Sequence, residues 1–271
     1  MRFTKMHGAG NDFIILQDDK EELTPAELRS LAHRLCARRT GLGADGMMVV
    51  VPPRDGGDYR MLFYNADGSA GEMCGNGARC IARYGYEHGL AGETQRIETT
   101  AGLVIGQRIS KTHYRVRLND PSVLDTRMAL AAGKEWECGY VELGSPGIPH
   151  ALLELDWEQF SEDELRQLGR ELRYADVFPK GANVTFWKET APEHVKVRTY
   201  ERGVEDFTLA CGTGCGSLTA AMTMNGRCSG RLTLECPGGT LEVSLTRCDE
   251  TISDIFLTGP TCVVAEGELV E

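Results

Sequence analysis

Residues 74–77 read Cys-Gly-Asn-Gly, and residues 211–214 read Cys-Gly-Thr-Gly. The C-G-x-G tetrad thus occurs twice in a chain of 271 residues, and its surroundings repeat with it. Tyr64 stands 10 residues before Cys74, and Tyr200 stands 11 before Cys211. Each cysteine precedes a run of small residues that predicts a helix, over 78–86 and 215–224. Glu98 and Glu235 both lie 24 residues beyond their cysteine, and Gly102 and Gly239 both lie 28 beyond. A single tetrad in a chain with 32 glycines reads as a tight turn with a buried thiol. Two tetrads with matched strand–loop–helix–strand surroundings mark an internal duplication. The chain is therefore read as two related half-domains, each with one cysteine on a glycine loop that opens a helix.

Outward from the tetrads, each half predicts a capped helix. Thr24 and Glu27 form a capping box with Pro25 at the first helical position, ahead of Leu28, Leu31 and Leu35. Ser161 and Glu164 form a second box ahead of Leu165, Leu168 and Leu172. Strands are predicted within 1–17 around Gly8 and Gly10, at 47–53 and 59–69, and in short pieces of 95–118. Others fall at 181–187, 195–201, 231–236 and 240–246. Asn119-Asp120-Pro121 is a turn and breaker cluster, which places the halves at 1–118 and 119–261. Residues 125–138 and 156–176 read as surface elements without chemistry.

Composition narrows the class. Lys and Arg total 29 against 40 Asp and Glu, a formal charge of −11. That argues against nucleic-acid partners, which require a basic face to displace counterions. Hydrophobic residues at 41% and charged residues at 25% argue for a folded chain. No stretch approaches the roughly 18 apolar residues of a membrane span. The opening MRFTKMHGAGNDFIIL lacks a secretory pattern, so a reducing cytoplasmic setting is expected. The ten cysteines are Cys36, Cys74, Cys80, Cys138, Cys211, Cys215, Cys228, Cys236, Cys248 and Cys262. No C-x-x-C pair occurs among them, which argues against a metal site. Eight are expected to act as small core hydrophobes, leaving Cys74 and Cys211 for chemistry.

N–H groups at a helix start lack an intrahelical carbonyl and lie at the positive end of the helix dipole. Anions bind there, and a cysteine there becomes more acidic. The tetrads lack the continuation of a nucleotide-phosphate loop. If the halves face each other, two thiols flank one cleft and two helix starts point at one carboxylate. That suits inversion of a carbon next to a carboxylate. One thiolate removes a proton from one face and the other thiol returns one to the opposite face. The helix-start N–H groups stabilise the charge that develops between the two steps. No lysine stands in a distinctive phosphate-loop context, so chemistry without pyridoxal or another cofactor is expected. Two other classes stay open. A carboxylate-binding module needs no paired thiols, and a thiol-redox protein cycles its cysteines through a disulfide.

Further segments fall in a familiar order: KMHGAGNDF (5–13), FYNADGS (63–69), MCGNGARC (73–80), GANV (181–184), YERG (200–203), LACGTG (209–214) and LTGP (257–260). On these the chain resembles the pyridoxal-independent diaminopimelate epimerase family over essentially its whole length. The resemblance implies an α+β fold of two pseudo-symmetric α/β half-domains, each a curled, mostly antiparallel sheet around a central helix. Residues 262–271 would return to the first half. It implies Cys74 and Cys211 as the acid/base pair, with Gly75, Asn76, Gly212 and Thr213 holding the substrate carboxylate through helix-start N–H groups. Asn11, Asn65, Asn183, Glu201 and Arg202 would line the substrate site, Arg202 and the asparagines reading the distal amino-acid end. His150 and Glu201 match the polar pair that tunes the thiols.

Taken singly, Asn11 reads as a turn residue, His150 as a satisfied histidine and Glu201-Arg202 as a surface ion pair. Their joint occurrence in the family's order favours function. The resemblance implies conversion of LL- to meso-diaminopimelate, in lysine and cell-wall biosynthesis, by a cytoplasmic homodimer acting on a small molecule. Two departures stand out. Gly147-Ile148-Pro149-His150 stands where the family often has Gly-Asn-Pro-His, and Gly46 where some members have glutamine. Ile148 cannot make the asparagine's hydrogen bond, and an unpaired buried polar group costs roughly 1–3 kcal/mol. A relative that racemises another amino acid, such as histidine, is the alternative.

Overall fold

The computed structural model describes residues 1–71, 74–132 and 134–270. Its elements begin with β1 (Arg2–Gly8), β2 (Asn11–Gln17), α1 (Pro25–Cys36), β3 (Gly46–Val51), β4 (Tyr59–Asn65) and β5 (Ala70–Gly71). Next come α2 (Gly75–Glu87), β6 (Thr94–Thr99), β7 (Gly102–Arg108), β8 (His113–Arg117), β9 (Pro121–Ala132), β10 (Lys134–Leu143) and β11 (Ile148–Glu154). Then follow α3 (Glu162–Arg173), β12 (Asn183–Ala191), β13 (His194–Glu201), β14 (Asp206–Thr208) and α4 (Gly212–Met224). The chain closes with β15 (Arg231–Cys236), β16 (Gly239–Cys248), β17 (Thr251–Pro260) and β18 (Cys262–Glu268). It divides into two compact units, one of Met1–Val116 with Thr258–Glu271 and one of Arg117–Leu257. No helix among the described residues is long and apolar enough to cross a membrane.

In the first unit β1 and β2 form an antiparallel pair, and α1 crosses over to β3, parallel to β2 with Phe13 opposite Gly46. β4 returns antiparallel to β3, and α2 crosses over to β6, parallel to β4 with Arg60 opposite Glu98. The second unit follows the same plan. β11 pairs with β10, and α3 crosses over to β12 with His150 opposite Asn183. β13 returns on β12, and α4 crosses over to β15 with Lys196 opposite Glu235. The repeat offsets therefore have a structural cause. Both glutamates sit at one register position of a parallel pair, one residue before the hairpin pairs Thr99–Gly102 and Cys236–Gly239. Gly102 (φ 105°) and Gly239 (φ 137°) both take conformations that side chains resist.

Two layers of helix explain the unbroken apolar run of β3. It is buried at every position because both its faces are covered. Met47, Val49 and Val51 pack with Leu28, Ala32 and Leu35 of α1. On the other face, Met48 lies so close to α2 that a Cβ on Gly77 would collide with it. In the second unit Val184 and Phe186 of β12 pack with Leu165, Leu168 and Leu172 of α3. Thr185 faces α4, where a Cβ on Gly214 would come within 2.8 Å of its hydroxyl. Both sequence-predicted capping boxes form, at Thr24/Glu27 and Ser161/Glu164.

Three expectations are corrected. The two central helices start at Gly75 and Gly212, directly after the cysteines, rather than at 78 and 215. Glycine is a poor helix former in water. Here it is the residue that lets these helices approach the sheet, so packing overrides propensity. Residues 125–138 are not wholly surface, because Cys138 is part of the second unit's core. The eight remaining cysteines are not uniformly packing residues. Cys36, Cys80, Cys138 and Cys215 are buried, Cys228 and Cys236 are half-buried, and Cys248 and Cys262 are exposed. The C-terminal segment belongs to the first unit: Thr261 N–H donates to the Thr112 carbonyl at 2.8 Å, and β18 pairs antiparallel with β1.

Candidate active site

In the first unit Cys74 is the N-cap residue of α2, extended and half-buried, and its carbonyl accepts the Ala78 N–H at 2.7 Å. Gly75 and Asn76 form the first turn of that helix. Asn76 Nδ2 donates to Asn11 Oδ1, which ties the helix start to the first residue of β2. Asn11 in turn donates to Asp45 at 3.2 Å. Asp45 and Asp12 share the Arg38 guanidinium, and Lys5 pairs with Asp12 at 3.2 Å. Those cations hold the Asp12 carboxyl below the usual range although its partial burial opposes them. Asn65, the last residue of β4, lies outside this network. Its Nδ2 donates to Ser69 Oγ at 2.9 Å within its own turn.

In the second unit Cys211 is the N-cap residue of α4 and is buried. Its Sγ lies 3.5 Å from Thr213 Oγ1, and Thr213 Oγ1 lies 2.9 Å from His150 Nε2. Asn183 Nδ2 donates to the Pro149 carbonyl at 3.1 Å, and Asn183 Oδ1 accepts the Arg202 N–H at 2.8 Å. Arg202 Nη1 donates to the Lys180 carbonyl. Thr208 Oγ1 donates to Glu201, fixing that carboxylate at the end of β13. His150, Asn183, Glu201, Arg202, Cys211 and Thr213 thus converge on one helix start. Ile148 opens β11 opposite Leu143 and brings no polar atom.

Electrostatics set this convergence apart. Burial pushes the Cys211 thiol well above its ordinary value, and the Glu201 carboxylate adds to that by repulsion and by accepting the thiol proton. The Thr213 hydroxyl and the Gly214 N–H pull the other way to a smaller extent. The greater acidity expected of a cysteine at a helix start is therefore overridden at Cys211. Burial and the charge of Arg202 hold His150 down to about 3, so the ring is neutral at physiological pH. His150 Nδ1 faces Gly214 and, among the described residues, has no hydrogen-bond partner. The positive end of a helix favours a lone pair there over an N–H. His150 Nε2, Thr213 Oγ1 and Cys211 Sγ thus stand in one chain of polar contacts, with Asn183 Nδ2 3.5 Å from the same Nε2. Cys211 is held between two donors that favour thiolate, the Thr213 hydroxyl and the Gly214 N–H, and one carboxylate that favours thiol.

Three buried thiols are raised by their burial, Cys36 to about 11 and Cys80 and Cys138 to about 12. Sequence reasoning missed Arg38, Asp12 and Asp45 behind Asn11, Thr208 behind Glu201, and the role of the Thr213 hydroxyl. Asp12 and Thr213 lie inside the quoted motifs, where a polar residue beside a motif asparagine or cysteine was the available signal. Arg38 and Asp45 are distant in sequence and meet Asp12 only in the fold.

The family model described as "Diaminopimelate epimerase" matches residues 3–123 and 144–264. A diaminopimelate epimerase of Aquifex aeolicus is 34% identical over 284 residues, spanning 100% of this chain and 98% of that protein. A diaminopimelate epimerase 1 of Nostoc sp. is 36% identical over 288 residues, spanning 99% of each. Among solved structures, a PhzF-family phenazine biosynthesis protein of Bacillus anthracis aligns over 100% of this chain and 99% of its own, with a TM-score of 0.74 at 16% identity. A probable proline racemase of Agrobacterium radiobacter aligns over 99% of this chain and 92% of its own, with a TM-score of 0.72 at 16% identity. At such identities the two structures speak for the two-domain α+β fold alone. The family model and the full-length relatives go further, and by them the chain belongs to the diaminopimelate epimerase family, whose members are isomerases.

Proposed function

We propose that the chain inverts the α-carbon of an amino acid with two thiols and no cofactor, and that its substrate is diaminopimelate, taken from the LL to the meso form. The observation that carries this is Cys211, buried at a helix start between the Thr213 hydroxyl and the Glu201 carboxylate, with Cys74 at the matching helix start of the other unit. A residue that must alternate between base and acid needs both forms within reach.

In the reaction the thiolate of one cysteine takes the α-proton and becomes a thiol. The electron pair spreads into the carboxylate, where N–H groups of Gly75, Asn76, Gly212 and Thr213 stabilise the charge. The other thiol gives its proton to the opposite face and becomes thiolate, so net charge on the pair is unchanged. Glu201 and the His150–Thr213 chain tune Cys211. Arg202, Asn183, Asn11 and Asn65 read the distal end of the substrate. A homodimer working in the reducing cytoplasm, in lysine and cell-wall biosynthesis, completes this reading.

The test is α-proton exchange in deuterated water with LL-diaminopimelate. The wild-type chain should incorporate deuterium and form the meso isomer, and Cys74→Ala and Cys211→Ala should each lose epimerisation by about 10³-fold or more. Full epimerisation in either variant would sink the two-thiol mechanism. Ile148 favours a second reading, racemisation of another amino acid such as histidine, because β11 opens on an apolar side chain where β2 opens on Asn11. Exchange with L-histidine but not with LL-diaminopimelate would select it.

A further inference from the structure

Four residues beyond Cys211 on α4 stands a second cysteine with a sulfur neighbour. Cys215 Sγ lies 3.8 Å from Cys236 Sγ. Cys215 is in the first turns of α4, where its N–H donates to the Cys211 carbonyl at 3.0 Å. Cys236 ends β15 and pairs with Gly239 across the β15–β16 hairpin. Both sulfurs therefore ride on hydrogen-bonded backbone, and their approach is a feature of the fold. A disulfide requires them to close to about 2.05 Å, a movement of the size that side-chain rotation supplies. The two differ in access. Cys215 is buried and Cys236 half-buried, so an oxidant reaches Cys236 first. Cys228, which lies between the two in sequence, is engaged with the Thr223 hydroxyl at 3.2 Å.

We propose that Cys215 and Cys236 form a peroxide-responsive thiol pair that closes to a disulfide independently of Cys74 and Cys211. Cys236 sulfur attacks a hydroperoxide, the O–O bond breaks, an alcohol or water leaves, and Cys236 becomes a sulfenic acid. Cys215 sulfur then attacks the sulfenic sulfur. The S–S bond forms, the S–O bond breaks, and the hydroxide leaves as water with the Cys215 proton. Two thiols and one peroxide give one disulfide, one alcohol or water, and one further water. The cross-link fastens the first turns of α4 to the hairpin whose Gly238 N–H holds the Leu209 carbonyl at 2.8 Å. Both ends of the stretch that presents Cys211 are then fixed together.

The test maps the bridge directly. The full chain is titrated with hydrogen peroxide, remaining thiols are blocked with N-ethylmaleimide, and tryptic fragments are read by mass spectrometry without reduction. Fragment 203–227 carries Cys211 and Cys215, and fragment 232–247 carries Cys236. They should appear cross-linked and two hydrogens lighter, in Cys74→Ala and Cys211→Ala as in the wild type. Cys215→Ala and Cys236→Ser should each abolish that species, and dithiothreitol should reverse it in the wild type. Persistence of the cross-link in Cys215→Ala would assign it to Cys211 and overturn the proposal. So would its absence from a wild-type chain whose other thiols have been oxidised. Neither outcome depends on whether the chain epimerises diaminopimelate.

Discussion

The two units share a backbone plan and differ in the side chains at its equivalent positions. Cys74 and Cys211 cap the matching helices α2 and α4. At the second helical residue the first unit has Asn76 and the second Thr213. At the end of the matching strands β4 and β13 stand Asn65 and Glu201, and opening β2 and β11 stand Asn11 and Ile148. Two residues further on, Phe13 faces Gly46 where His150 faces Asn183. At these equivalent positions the first unit carries amides at Asn11, Asn65 and Asn76, whose charge state does not change with pH. Around Cys211 they carry a carboxylate, an imidazole and a hydroxyl. Duplication supplied two matching helix starts, and divergence gave their equivalent positions different side chains.

The sharpest way to break that contrast is to strip the groups that bracket Cys211. Glu201→Gln removes the carboxylate that raises the thiol, so the pH limb belonging to Cys211 should move to lower pH. Turnover should fall by about 10²-fold. Thr213→Val removes a donor that lowers the thiol and should move the same limb upward, with Thr213→Ser restoring it. The measurement is the pH profile of kcat/KM in both directions of the reaction. If both substitutions moved the limb the same way, the bracket would not exist.

A smaller effect concerns His150. Its folded value of about 3 lies below the ordinary 6.5, so between those values the unfolded chain binds a proton that the folded chain does not. Stability is therefore complete above about pH 6.5 and is lost as pH falls toward 3. The loss reaches about 2 kcal/mol at pH 5. His150→Phe, which installs the residue of the first unit, should remove that increment from the difference between urea unfolding at pH 7.5 and pH 5. An unchanged difference would show that His150 is not buried neutral. The smallest effect tests the likeness of the units rather than their contrast. Thr24→Ala and Ser161→Ala each remove one side of an equivalent capping box, and each should cost about 1 kcal/mol. Thermal unfolding in which only one of them mattered would deny that α1 and α3 play equal parts.

Much of the fold was legible because its signals are local. The capping boxes at Thr24 and Ser161 satisfy the backbone of their own first turn, and the offsets to Glu98 and Glu235 follow from one chain path taken twice. The exact helix starts were not legible. Gly75, Gly77, Gly212 and Gly214 read as loop by propensity, and only the contacts of Gly77 with Met48 and of Gly214 with Thr185 and His150 show why glycine fits in these first turns. The site was legible to the extent that its residues lie in motifs. Arg38 and Asp45, which hold Asn11 through contacts between distant segments, were not.

By itself the sequence determined that the chain is a duplicated unit, with one cysteine per copy at a helix start, because strand spacing, caps and glycine positions are set by local backbone geometry. What it could not contain is the chemical setting of each thiol. The helix dipole alone predicts a more acidic Cys211, yet burial and Glu201 raise it, and the hydroxyl of Thr213 answers to a histidine 63 residues away. Desolvation and charge act through space over a few ångströms, so only the tertiary structure, which chooses what stands within that distance, decided how this thiol behaves.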